Sequence, residues 1–151
     1  MEEVTDITEI MGKIGSWVGA AQVSQHGEDL WIIVLDEDFV IEIEQDVDRQ
    51  MLVLSVSLGE ARADGRSDTH DLLLRVNARW RDTGGIRFGL DGPDDELVLN
   101  FDVPIEGLDT DGLGTRLFEF TDAALGWREF VAGKGNNAEP DEKALESMIK
   151  I

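Results

Sequence analysis

Cysteine is missing altogether, so this 151-residue chain can build no disulfide framework, no thiolate metal site and no cysteine nucleophile. Positive charge is scarce: 13 lysines and arginines stand against 33 acids, a formal net charge of −20. Such a surface repels nucleic acid and anionic membrane, and suits a basic or membrane-averse client better. Histidine occurs only twice, at His26 and His70, in no nucleophile or zinc spacing; His70 reads as a solvated residue in the first turn of a helix. The GxSxG elbow, the GxxxxGKS/T phosphate loop and the GxGxxG turn are all absent, and GKGNN lacks both the glycine spacing and the hydroxyl after lysine. No apolar run approaches the roughly 20 residues of a membrane span. The opening MEEVTDITEI is acidic where a secretory leader needs positive charge, which leads to the expectation of a cytoplasmic protein.

What is present is a foldable chain. Hydrophobic residues make up 42% of it, enough for a core despite the charge. The pattern predicts one domain over residues 1–133, with 134–151 a linker and tail. From Thr5 to Ala21, Ile7, Ile10, Met11, Ile14, Trp17, Val18 and Ala21 recur at helical spacing, with Gly12 and Gly15 weakening the helix from inside. Gln25 to Asp29 reads as a polar connector. LWIIVLD, FVIEIEQD and MLVLSVSL then read as a three-stranded antiparallel meander: Phe39, Ile41 and Ile43 alternate with Glu42 and Glu44, and Leu52, Leu54, Val56 and Leu58 with Ser55 and Ser57. GEARADGRS is a polar, exposed loop.

Ser67 to Asp82 is the predicted central helix, with Asp68 as N-cap and Asp71 in the first turn. Leu73, Val76 and Trp80 recur at helical spacing, while Leu72, Leu74 and Ala78 widen the apolar surface beyond what one sheet contact needs. Leu72, Val76 and Trp80 cannot easily face one sheet together, so some of this surface is expected to meet a second copy of the chain. Gly84 and Gly85 stop the helix; IRFGLD and ELVLNFDVP form a hairpin that Pro104 ends. From Asp111 to Val131, Leu113, Leu117, Phe120, Ala124, Trp127 and Val131 lay one stripe along a long helix. KALESMIKI reads as a short helix or a loose tail. The fold class is α+β, helices packed on a twisted antiparallel sheet in the order α-β-β-β-α-β-β-α.

Acidic clusters invite metal or acid-base readings, and the spacing argues against both. In LDTDGLGTRLFE, Gly112 follows Asp109 and Asp111 too early for a calcium loop, and Asp111 reads as a helix cap. Asp36/Asp38 and Asp94/Asp95 lie in turn-like sequence with nothing to desolvate them. No metal, no cofactor and no enzymatic activity are expected.

The acidic meander LDEDFVIEIEQD with MLVLSVSLG, the leucine-rich helix with an asparagine in DLLLRVNARW, the step GGIRFGLD, the hairpin DDELVLNFDVPIEGLD and the closing LGTRLFEFTDAALGWREFV resemble the class I type III secretion chaperones, the Tir-chaperone family. The GEARADGRS loop and the tail depart from that pattern. The resemblance implies a homodimer built on the central helix and the strand after it, which places Leu72, Leu73, Val76, Trp80 and Phe88 at the interface. It also implies an effector's amino-terminal segment wrapped round the outside in extended form, without catalysis. Exposed apolar grooves or strand edges are what an unfolded segment needs. Grooves between the first helix and the meander nominate Ile10, Ile14, Trp17, Ile32, Val34, Phe39 and Ile41 as client-binding residues, and the negative charge keeps such patches soluble. Two other readings are a regulator or adaptor that shares the fold and binds a folded partner, and a hydrolase using acidic residues, which would need a pocket burying paired carboxylates.

Overall fold

The computed structural model describes residues 5–36 and 38–133. Its elements run α1 (Ile7–Val18), β1 (Gln22–His26), β2 (Leu30–Asp36), β3 (Phe39–Asp46), β4 (Met51–Gly59), α2 (Arg66–Ala78), α3 (Trp80–Thr83), β5 (Arg87–Asp91), β6 (Glu96–Pro104) and α4 (Thr110–Val131). Six strands form one antiparallel sheet in the order β1-β2-β3-β4-β6-β5. The class is the expected α+β, with one strand more than the sequence pattern predicts. That strand, β1, occupies part of the predicted connector: QVSQH has a single apolar residue, and a short polar strand at a sheet edge carries no alternation to read. Contacts gather the chain into two compact units, residues 1–56 with 102–118 and residues 57–101 with 119–151.

In the first unit α1 starts at Asp6, whose side chain accepts the Glu9 N–H at 3.2 Å, and stops at Gly19 in the left-handed region (φ 68°). Its buried stripe is Ile7, Ile10, Met11 and Ile14. Gly15 is there for closeness: a Cβ at that position would stand 2.9 Å from the Val23 side chain of β1. Val23 pairs with Ile33, Ile33 with Ile41 and Ile41 with Val56, so one row of the meander shares the face that α1 covers. The next row, Trp31, Ile43 and Leu54, is buried too. Between β3 and β4, Asp46 accepts from the Arg49 backbone (3.1 Å) and from its Nε (2.6 Å), while Arg49 Nη1 reaches Asp102 at 3.0 Å. The Ile105 N–H donates to the Gln50 carbonyl at 3.1 Å, tying this turn to the chain that leaves β6.

In the second unit α2 begins a turn earlier than predicted. Gly65, at φ 94°, is the cap, with no side-chain cap bond, so Asp68 lies inside the first turn and acts only through its charge. Arg66 Nη2 holds the Ala61 carbonyl at 3.2 Å, which tethers the loop read as exposed. The helix also ends sooner. Arg79 leaves helical geometry (φ −96°, ψ 34°), and Trp80 opens the separate turn α3. Thr83, fully buried, donates to the Trp80 carbonyl (3.2 Å) and accepts the Gly85 N–H (3.3 Å), closing the turn into β5. Beneath lies an aromatic core: Phe88 meets Trp127 edge-on at 4.9 Å, and Phe101 stacks on Phe120 at 6.3 Å.

The α4 stripe is as predicted, with Leu113, Leu117, Phe120, Ala124, Trp127 and Val131 all buried. Its cap is Asp109, not Asp111: Asp109 Oδ1 accepts the Gly112 N–H at 2.7 Å. The reading of KALESMIKI lies outside the described residues.

Candidate functional site

The predicted client residues separate according to the pleat of the meander. Phe39 and Ile41 point to the covered face, and Ile10 and Ile14 point down onto it from α1; all four are buried. The groove expected between α1 and the meander is therefore filled core, because α1 seats its own stripe there. As surfaces for a partner these four are corrected to interior residues. Ile32 and Val34 stand on the opposite, outer face, half-buried. There Val34 pairs with Val40, itself exposed, while Ile32 pairs with Glu42 and Leu30 with Glu44. The outer face of this unit is thus apolar near the bulge between Val34 and Asp36, and acidic along its middle.

Trp17 lies elsewhere, at the end of α1. Its indole N–H donates to Asp111 at 2.9 Å, and its ring lies on Gly114, where any Cβ would overlap it. This explains the acid read as a cap: Asp111 is bonded to a tryptophan 94 residues away in sequence, a long-range partner that no local pattern records. Even so held, Trp17 is 44% exposed. It lines an open groove of about 570 Å³ with Lys13, Ser16, Asp109, Thr110 and Asp111, next to one of about 660 Å³ that runs past Asp6, Glu9 and Leu108.

The predicted interface residues separate as well. Leu73, Val76 and Phe88 are buried in the second unit and are corrected to core: they have no surface left for a second copy. Leu72 is half-buried. Trp80 is 57% exposed, its ring covered on one side by the Arg81 guanidinium at 5.0 Å. Two apolar residues of the second unit outside the predicted interface are also exposed, Leu74 at 66% and Leu90 on β5. Leu74 belongs to the broad apolar surface that the sequence predicts for the helix; Leu90 lies in the hairpin strand IRFGLD.

Electrostatically the described residues are quiet. The Arg49 guanidinium hydrogen-bonds the Asp46 carboxylate and lowers its pKa below the ordinary value, and the same bond raises that of Arg49. Both groups are at the surface and read as a structural pair. Among the described residues no group of three or more His, Cys, Asp or Glu could hold a metal ion. His70, read as solvated, is half-buried, and its enclosed Nε2 has no hydrogen-bond partner among the described residues. No described helix is long and apolar enough to cross a membrane.

Comparison with solved structures finds the same fold repeatedly. The ExsC–ExsE complex matches at TM-score 0.69 and 17% identity, covering 87% of this chain and 97% of that one. The HopA1–SchA chaperone–effector complex matches at 0.63 and 18%, over 83% and 99%. The Yersinia pestis type III secretion chaperone SycH, bound to a stable fragment of YscM2, matches at 0.60 and 21%, over 79% and 97%. YbjN from E. coli, a candidate transcription regulator, matches at 0.63 and 13%, over 86% and 95%. No curated protein matches in sequence. The sequence model of one family does match, over residues 21–128, from β1 through most of α4. With the whole sheet inside that match, the chain belongs to the Tir chaperone protein (CesT) family.

Proposed function

We propose that the protein is a cytoplasmic, homodimeric type III secretion chaperone that binds the amino-terminal segment of an effector and holds it partly unfolded for export. The observation that carries this reading is the family match across residues 21–128. Solved relatives of the same fold that are bound to an effector, or to a fragment of another protein, support it. The client segment is assigned to the first unit, where β1 ends the sheet order and Ile32, Val34 and Val40 lie on the outer face. An added strand would take main-chain hydrogen bonds from the edge, and apolar side chains would settle on the outer face. Trp17 offers a further apolar contact beside its groove. The second copy is assigned to the second unit, where Leu72, Leu74, Trp80 and Leu90 expose apolar surface. No step in this function needs a cofactor or ATP.

The test is a proteolysis experiment on the protein with the effector encoded beside its gene. Protection of an amino-terminal effector segment, lost in Val34→Asp, supports the reading. A partner that resists protease equally well alone is already folded, and that result supports the second reading, an adaptor or regulator, which the likeness to YbjN favours.

A further inference from the structure

We infer that Asn77 closes the β5 edge of the sheet to strand addition. The strand β5 is last in the sheet order, and an edge strand presents a row of outward N–H and C=O groups that templates any other extended chain. Phe88 is the second residue of this five-residue strand, paired with Leu99 in the register with β6. Its N–H donates to Asn77 Oδ1 at 2.9 Å, and its C=O accepts from Asn77 Nδ2 at 3.0 Å. Both bonds go to the same side chain. The backbone groups of Phe88 therefore point away from β6, into the space an added strand would occupy.

A primary amide carries a donor and an acceptor, like a peptide group, so Asn77 makes the two reciprocal bonds that one residue of an antiparallel neighbour would make. It is carried there by α2, whose Leu73 and Val76 are buried and so fix the helix against the strand. Asparagine is a poor helix former, which makes its place in the last turn of α2 informative. Aspartate would lose the donor; leucine would lose both groups. By alternation the next outward backbone pair belongs to Leu90, near the strand's end at Asp91. With Phe88 covered, too little consecutive edge remains for a ladder. A second copy that meets α2, α3 and β5 must then do so through side chains, and a partner strand that joins the sheet does so at β1. This deepens the proposed function by naming the edge a client cannot use, yet it is tested on the protein alone, so its failure is separate from any failure to bind an effector.

The experiment compares the full chain, Asn77→Ala, and Asn77→Ala combined with Leu90→Pro, which removes the next outward donor without touching the ladder to β6. In Asn77→Ala the Phe88 amide is expected to exchange with solvent about tenfold faster or more. Light scattering is expected to find species heavier than the parent that grow with concentration, and the added Leu90→Pro to abolish that growth with concentration. Unchanged exchange at Phe88 overturns the inference, as does the absence of heavier species. Heavier species that persist undiminished in the double variant overturn it too, because association then comes from general loss of fold rather than from an opened edge.

Discussion

The helices α1 and α2 each cover strands with one face, yet different physics holds them. The first is attached by apolar contact: a capped start at Asp6, four buried residues, and a glycine that lets β1 come close. The second has no side-chain cap and only Leu73 and Val76 buried, and it is tied to β5 by the two directional bonds of Asn77. A helix held by burial uses up its oily side, and what α1 leaves exposed is chiefly Trp17, itself bonded to Asp111. A helix held partly by a polar clamp can keep apolar residues outside, and α2 with α3 keeps Leu74 and Trp80. The contrast separates surface that is free for a partner from surface that only looks free in sequence.

The largest expected effect breaks the contrast at its buried side. Val76→Asp places a charge in a site 1% exposed, and is expected to cost about 4 kcal/mol or more, read as a collapse of the urea midpoint rather than as a folded monomer. Gly114→Ala is next: its Cβ would meet the Trp17 ring, so a cost of about 1–3 kcal/mol is expected, with a shift in tryptophan fluorescence as the ring moves. Trp17→Phe keeps the ring and removes the bond to Asp111, for about 1 kcal/mol or less in a denaturant titration. Trp80→Asp is expected to change stability by no more than about 0.5 kcal/mol while halving the mass in light scattering; an unchanged dimer mass would remove the assigned interface. The smallest effect is in pH. Arg49 lowers the pKa of Asp46, so this pair's contribution is present above the ordinary carboxylate value of 3.8 and is lost as pH falls through the lower folded value. Asp46→Asn is expected to flatten the acid limb of the stability profile slightly, and an acid limb identical to the parent's would show the pair to be idle.

Much of the fold was legible because period and polarity are local. The α4 stripe, the β5–β6 hairpin and the alternation of β3 are written in residues a few positions apart. The candidate surfaces were far less legible. Phe39 and Ile41 carry the same apolar signal as Ile32 and Val34, and only the pleat, with α1 laid on one side of it, decides which pair is interior. Leu90 alternates in step with Phe88, yet Phe88 packs on Trp127 while Leu90 lies exposed near the end of the strand. Asn77 was visible as an asparagine in a leucine-rich helix, and its purpose was invisible until the backbone of Phe88 stood beside it.

By itself the chain of residues determined the class of fold, most of the elements, the cysteine-free and strongly acidic character, and a recognisable kinship, because each of these follows from composition or from neighbours along the chain. Tertiary structure alone decided which apolar residues were spent on the core, that Asp111 serves Trp17 instead of a helix end, and that an amide stands against the edge of β5. Those outcomes depend on groups 11 to 94 positions apart arriving at hydrogen-bond distance, and no local periodicity encodes that meeting.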